Sequence, residues 1–314
     1  MCTHHGHNPV ASTAKDLVEE HAVERRRILK NLVAGGAVVA AAPAITGCAT
    51  NAETGSRQLL LVGDSQLSSL AAASWADAKA KVPTSNDPRY TSRLQNIGTR
   101  IARGANKSNE TWDYEVFDND TRNAFVLPGN RVGFYKGMMD FAGTDDQIAA
   151  IMGHEVGHVT GKHAAERVSQ QMAGQLAVTA GTILAGTQGS KRCRTLVGVE
   201  RNNCLASVNR NTQLINGALG MGLQLGVLLP FSRKHESQSD LLGAIYMQKA
   251  GYDPYESVAL WEKMAEASGS RQPELLSTHP DPSRRARDLH NFIKAQEVLG
   301  SQGWQSIKVP KVSA

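Results

Sequence analysis

The stretch IMGHEVGHVTGKH, residues 151–163, places three histidines and one glutamate within a short segment. Residues four apart share one face of a helix, so His154 and His158 project their imidazoles to the same side. This geometry suits two ligands of a tetrahedral zinc ion, and Glu155 then points toward the position that water would occupy. The spacing predicts a catalytic metal site. The alternative is a pair of hydrogen-bonded core histidines or a purely structural ion.

The same helix contains two glycines, Gly153 and Gly157. Each destabilises a helix by roughly 1 kcal/mol relative to alanine. Their presence therefore predicts that another backbone packs closely against this helix.

A catalytic zinc site needs a third protein ligand and one open position. The metzincin pattern requires a histidine at position 164, but Ala164 stands there, and His163 is rotated from it by about 100° on a helix. The segment HESQSD instead supplies Glu236 as the third ligand. Asp240 lies on the same helix face, where it would accept a hydrogen bond from the outer nitrogen of a ligand histidine. Taken alone, such a Glu-x-x-x-Asp pair is typical of a solvated helix face.

Hydrophobic periodicity predicts a mostly helical α+β protein. WDYEVFD (112–118) reads as a strand, and NAFVLPGNRVGFYKG (123–137) reads as two strands around a Pro-Gly turn. Helices are predicted at approximately 64–82, 89–103, 145–163, 232–249, 254–267 and 283–296.

The N-terminal residues 1–47 are predicted to be a signal peptide. RRRILK (25–30) precedes a short apolar run that ends in ITGC (45–48), a stretch typical of a bacterial lipobox. The run is shorter than the roughly 20 residues that span a bilayer. Arg25 and Arg26 would form a twin-arginine export pair, Cys48 would be lipidated, and residues 48–62 would form a tether. The alternative is a buried N-terminal helix with a chance cysteine.

Export leaves Cys193 and Cys204 in an oxidising compartment, where they are predicted to form a disulfide that closes an insertion near 187–212. Two apolar segments, 172–186 and 214–229, are predicted to be helices packed beside the site. The alternative is a pair of membrane-inserted arms. The formal charge of +5 is spread along the chain among acids, which excludes a clustered nucleic-acid-binding surface.

Four stretches resemble successive landmarks of one family: NAFVLPGNRVGFYKG, DQIAAIMGHEVGHVTGKH, LLPFSRKHESQSDLLGAIYM and STHPDPSRRARDL. The chain is similar to the HtpX and CAAX-prenyl-protease family of zinc metallopeptidases (gluzincins), above all to exported bacterial lipoproteins of the BepA, LoiP and YcaL kind. The resemblance implies a zincin-like domain over residues 63–300, with a small antiparallel sheet beside the HExxH helix and a tail at 301–314. It also implies one zinc ion bound by His154, His158 and Glu236, with Glu155 as the general base and Asp240 as a support.

The hairpin and the last helix supply further candidates. Asn123, Ala124 and Phe125 are predicted to lie on a strand to which an extended substrate adds; the alternative is a plain structural hairpin. His279 lies either simply near the start of the last helix or close enough to the metal to act as an inhibitory latch. Arg285 is a candidate for stabilising the oxyanion.

We therefore expect a zinc-dependent endopeptidase of the bacterial envelope that cleaves unfolded or misassembled envelope proteins. Ala49, which follows the lipidated cysteine, predicts sorting to the outer membrane, facing the periplasm, where the outer-membrane assembly machinery is a candidate partner. One alternative is a non-catalytic zinc lipoprotein that acts as a chaperone or assembly scaffold. Another is a cytosolic metal-binding protein.

Overall fold

The structure is a computed structural model that describes residues 48–174, 191, 193–208, 231–267, 273–300 and 304. The predicted signal peptide, nearly all of the two apolar segments and nearly all of the C-terminal tail lie outside these residues.

The described residues form an α+β fold that is mostly helical, which confirms the predicted class. In chain order the elements are β1 (Cys48–Thr50), β2 (Arg57–Leu59), α1 (Asp64–Lys81), α2 (Pro88–Gly104), β3 (Asp113–Phe117), β4 (Ala124–Leu127), β5 (Arg131–Tyr135), α3 (Lys136–Ala142), α4 (Asp145–Thr160), α5 (Arg233–Ala250), α6 (Tyr255–Glu266), α7 (Leu275–Thr278) and α8 (Pro282–Leu299). Residues 163–174 and 198–208 are also helical.

The two helices that hold the predicted ligands, α4 and α5, both begin with a side-chain cap. Thr144 accepts a hydrogen bond from the backbone N–H of Gln147, and Ser232 accepts one from that of His235. Each cap satisfies a backbone donor that the helix itself leaves unpaired. The starting points of both helices are therefore fixed by local sequence.

A three-stranded sheet lies beside α4, with the spatial order β3-β5-β4. β4 and β5 form the predicted antiparallel hairpin, with Phe125 opposite Gly133. β5 occupies the middle and also pairs with β3 in parallel, so the sheet is mixed rather than wholly antiparallel. β4 is thus an edge strand.

The main core surrounds α4, which is buried along nearly all of its length. Its apolar side chains, among them Ile148, Ile151 and Met152, pack in one cluster with side chains of α2, α5, α6 and α8. A helix that is buried on all its faces lies at the centre of a domain. The helix with the histidine motif is therefore the central element of the fold.

Backbone contact between α4 and α5 depends on three glycines. A Cβ on Gly153 would lie 3.0 Å from the carbonyl oxygen of Gly243, and one on Gly243 would lie 2.9 Å from the carbonyl carbon of Gly153. One turn along, a Cβ on Gly157 would lie 2.8 Å from the carbonyl oxygen of Ser239. This confirms that the glycines of the motif pack against another backbone. The helices run antiparallel, and the register brings Glu236 beside the histidines.

The segment predicted to be a tether is folded onto the domain. β1 and β2 pair as an antiparallel hairpin. The buried side chain of Asn51 donates to the backbone oxygen of Thr160 at 3.0 Å, and that of Gln58 donates to the backbone oxygen of Gly161 at 2.6 Å. The hairpin therefore caps the carbonyl end of α4.

A disulfide joins Cys193 and Cys204, the pair that the sequence predicts. Cys48 is also disulfide-bonded. Within the part of the chain that the structure describes, no helix is both long and apolar enough to cross a membrane.

Gly243→Ala is expected to force α4 and α5 apart. The added methyl group would overlap backbone atoms of Gly153, and overpacking of this kind costs about 1–3 kcal/mol. We expect a lower free energy of unfolding in urea denaturation. The control is Gly174→Ala, because that helical glycine has open space at its Cβ position. An unchanged stability for Gly243→Ala would contradict the role given to this contact.

Candidate metal centre

Four buried side chains from three parts of the chain form one cluster. His154 and His158 lie on α4, Glu236 lies on α5, and His279 follows α7. Each offers one ligand atom, and these atoms all lie within 4.8 Å of one another. The structure thus brings together the three side chains predicted as ligands, and it adds the predicted latch.

Both motif histidines direct Nε2 into the cluster. The two Nε2 atoms are 3.0 Å apart, and they lie 3.5 Å (His154) and 3.4 Å (His158) from oxygens of Glu236. Two imidazole nitrogens and one carboxylate are a donor set that zinc accepts, with a further position left for solvent or substrate. The geometry fits a bound divalent metal ion.

Asp240 orients the first histidine. Its Oδ1 lies 3.0 Å from Nδ1 of His154, so the Nε2 lone pair of this imidazole is left for the cluster. Arg285 binds the same carboxylate through two nitrogens and places Nη1 3.0 Å from Glu236. The guanidinium also lies 3.4 Å from the centroid of the Trp261 ring. These contacts lock the two acids of α5 in place.

Arg285 is 1% exposed and bound by two carboxylates. The structure therefore gives it a positioning function toward Glu236 and Asp240. Its role in stabilising an oxyanion stays a prediction.

His279 lies against the cluster as well as beside the start of α8. Its Nδ1 is 3.0 Å from both oxygens of Glu236 and 3.1 Å from Nε2 of His154. Its Nε2 is 3.6 Å from Oε1 of Glu155. An imidazole in this position is close enough to serve as a fourth ligand.

Glu155 is buried, and its Oε1 has no hydrogen-bond partner. Burial raises the pKa of this carboxyl. A buried carboxylate oxygen without a partner is costly unless another molecule satisfies it. Because it lies next to the donor cluster, it is suited to accept a proton from water there.

The two ligand histidines differ in proton affinity. Burial and Arg285 oppose a charge on His154, yet hydrogen bonds to Asp240 and Glu236 outweigh them and raise its pKa to about 9. Burial holds the pKa of His158 well below its usual value. Burial also disfavours the charged form of Glu236, but His279 and Arg285 keep its pKa well below the usual range. A divalent cation bound by these side chains would therefore compete with a proton at His154.

A cleft beside the candidate metal ligands is bordered by the end of β4, while Asn123, Ala124 and Phe125 of the predicted substrate strand are not among its lining residues. Ala124 and Phe125 lie on the edge strand β4, and the backbone oxygen of Asn123 accepts a hydrogen bond from Tyr135. The cleft has a volume of about 430 Å³, and its lining includes Val126, Leu127, Pro128, His158 and Phe231. The cleft is thus lined both by residues at the end of β4 and by His158, a candidate metal ligand.

Sequence reasoning missed two aromatic neighbours of the site. Trp261 lies under Arg285, and the Phe231 ring centroid is 4.0 Å from that of His158. Trp261 occupies an ordinary apolar position of α6, so it carries no local signal. Phe231 directly precedes the N-cap of α5, where an apolar residue often packs against the helix.

Comparison with known proteins gives one family. The model described as "Peptidase family M48" matches residues 88–293. The chain is 32% identical over 211 residues to mitochondrial metalloendopeptidase OMA1 of Schizosaccharomyces pombe, covering 67% of this chain and 54% of the relative. It is 26% identical over 235 residues to the beta-barrel assembly-enhancing protease of Escherichia coli, covering 74% and 45%. The chain spans about half the length of these relatives.

Asp240→Asn is expected to destabilise the protein. The substitution removes one of the two carboxylates that neutralise the buried guanidinium of Arg285, and breaking a buried pair costs about 3 kcal/mol. Urea unfolding of metal-free protein measures this loss. Asp288→Asn is the control, because the exposed pair of Asp288 with Arg284 should contribute under about 0.5 kcal/mol. Equal stabilities for the two variants would show that Asp240 does not hold Arg285.

Proposed function

Because the chain belongs to peptidase family M48, we propose that it is a zinc-dependent endopeptidase that cleaves unfolded or misassembled proteins of the bacterial cell envelope. One observation supports the chemistry above all others. The carboxylate oxygen of Glu155 that has no hydrogen-bond partner lies beside a buried cluster of three imidazoles and one carboxylate. A site for structure alone would need only the ligands.

His154, His158 and Glu236 would hold one zinc ion per chain. Bound zinc supplies Lewis-acid chemistry, because it polarises a peptide carbonyl and lowers the pKa of water. The protein holds the donors rigidly, since Asp240 and Arg285 fix His154 and Glu236 before the metal arrives. Preorganisation of this kind keeps the ligand geometry during the reaction.

Glu155 is the proposed general base. Its Oε1 accepts the proton of the attacking water and then returns it to the nitrogen of the leaving amine. The raised pKa suits the first step, because a carboxylate with a higher pKa binds the proton of water more strongly. The surrounding core excludes bulk water from this exchange, since Glu155 is 2% exposed.

The substrate is proposed to bind as an added strand on β4. An edge strand offers unpaired backbone donors and acceptors, which recognise any extended chain without regard to its side chains. The cleft, whose lining includes Leu127 and His158, would take one substrate side chain. Recognition through the backbone favours unfolded segments as substrates.

The proposed location is the outer membrane, with the domain facing the periplasm and lipid attached to Cys48. The sequence supports this through the lipobox ITGC, and one relative carries the name beta-barrel assembly-enhancing protease. Outer-membrane assembly machinery is a proposed partner on the same ground. The sulfur of Cys48 cannot form a disulfide and a thioether to lipid at the same time. The proposed lipidated form is therefore one in which Cys48 has no disulfide.

The second candidate function is a non-catalytic zinc lipoprotein that acts as a chaperone or assembly scaffold. Replacement of Glu155 separates the two functions, because a scaffold would not depend on a proton acceptor at this position.

Glu155→Gln is expected to keep the metal and lose peptide cleavage. The amide cannot accept the proton, and removal of a general base slows catalysis by about 10²–10⁴-fold. Zinc stoichiometry and cleavage of an unfolded reporter protein measure the two properties. Glu262→Gln on the exposed face of α6 is the control. Full activity in Glu155→Gln would remove the assignment.

His279→Ala is expected to raise the activity if this imidazole acts as a latch. With His279 removed, the described residues offer no fourth ligand that competes with water and substrate. Initial cleavage rates at equal zinc content test this, with His290→Ala on α8 as the control. An unchanged or lower rate in His279→Ala would contradict the latch.

Cys48→Ala is expected to release the protein from bacterial membranes. Without the sulfur no thioether to lipid forms, and the mass of the mature protein should fall by that of the lipid. Fractionation and intact mass spectrometry check both results. Equal recovery of the wild type and Cys48→Ala in the membrane fraction would exclude Cys48 as the anchor.

A further inference from the structure

A line of hydrogen bonds runs from a ligand histidine to the N-terminal hairpin. Nδ1 of His158 lies 3.0 Å from Nδ1 of His163, and Nε2 of His163 lies 3.1 Å from Oε1 of Gln238. Nε2 of Gln238 then donates to Oγ of Ser56 at 2.6 Å. His163 and Gln238 are 0% and 1% exposed, so this line lies inside the protein until it reaches the hairpin.

The chemistry of the groups gives this line one direction. A histidine that binds a metal through Nε2 carries its proton on Nδ1. His158 must then donate to Nδ1 of His163, which places the proton of neutral His163 on Nε2. That N–H donates to the amide oxygen of Gln238, and the amide nitrogen is left to donate to Ser56. Each of the three hydrogen bonds of the line then joins one donor to one acceptor.

Two further residues beside His163, Ser239 and His235, are compatible with this direction of the hydrogen bonds. Oγ of Ser239 lies 3.3 Å from Nδ1 of His163, where its hydroxyl can also donate to that acceptor. The ring of His235 stacks on His163 with centroids 4.4 Å apart, which fixes the plane of the imidazole. Nε2 of His235 lies 3.2 Å from Oε2 of Glu166, so the stacked ring is itself held.

The hairpin is fixed where the line ends. Asn51 and Gln58, on either side of Ser56, bind backbone oxygens at the end of α4. Gln58 also donates to Glu166 at 2.7 Å. The hydroxyl of Ser56 is therefore presented to Gln238 by a folded segment, and not by a free chain.

We propose that His163, Gln238 and Ser56 are positioning residues for His158, so that the N-terminal hairpin completes the metal centre. The orientation of the Gln238 amide decides whether the line of hydrogen bonds can form. If it rotated, its NH₂ group would face the N–H of His163, and the line would be broken. In the orientation that keeps the line intact, Oγ of Ser56 accepts from the nitrogen end of the amide. The proposal rests on the metal site of the proposed function.

The first test reads the protons directly. In the zinc-loaded full chain labelled with ¹⁵N-histidine, long-range ¹H–¹⁵N spectra report the tautomer of each ring. We expect the proton on Nδ1 of His158 and on Nε2 of His163. A proton on Nδ1 of His163, or a metal-bound Nδ1 in His158, would overturn the proposal.

The second test compares two replacements of similar size at one position. Gln238→Leu removes the acceptor for His163, and the loss of such an outer partner weakens metal binding by about 10–100-fold. Gln238→Glu keeps an acceptor there, so its zinc affinity should equal or exceed that of the wild type. Competition with a chromophoric chelator measures both. Equal affinities for the two variants would show that Gln238 only fills space.

The third test concerns the hairpin. Ser56→Ala should weaken zinc binding by a smaller factor than Gln238→Leu, while Thr50→Ala, an exposed change on the same hairpin, should leave it unchanged. Wild-type affinity in Ser56→Ala would separate the hairpin from the metal centre. A wild-type protein that bound no zinc would instead refute the proposed function itself.

Discussion

The close approach of α4 and α5 is the constraint on which the rest of the structure depends. Glycines at 153, 157 and 243 allow backbone to touch backbone, so that side chains on both helices reach one point. Two imidazoles from α4 and one carboxylate from α5 converge only at this interhelical distance. The packing that makes the core is thus also what builds the metal centre.

Electrostatics then sets the state of the converging groups. Burial of two carboxylates would be unfavourable alone, but the guanidinium of Arg285 contacts both Glu236 and Asp240 and rests on Trp261. Such a network is stable because each charge is paired and hydrogen bonded. Glu155 lies outside these direct pairings, and it is the acid that keeps a partnerless oxygen. Arg285 thus balances the charges of Glu236 and Asp240, while Glu155, the proposed base, keeps one oxygen free of hydrogen bonds.

Local patterns account for what could be predicted. The four-residue spacing in α4 and α5 placed His154, His158, Glu236 and Asp240 on helix faces, and the β4–β5 hairpin followed from its turn. The match to family M48 confirms the resemblance drawn from four stretches. Contacts between residues far apart in the chain leave no such pattern in the sequence. The docking of Asn51 and Gln58 and the position of Trp261 depend on three-dimensional packing, which no periodicity encodes.

The capping of α4 has a consequence for how the domain opens. Its final carbonyls are satisfied by side-chain amides from a hairpin about a hundred positions earlier in the chain. Helix ends ordinarily fray before the centre does, yet here local opening must first detach the hairpin. The end of α4 is therefore coupled to the hairpin in native-state opening. The hairpin of β1 and β2 and the central helix α4 therefore form one cooperative unit.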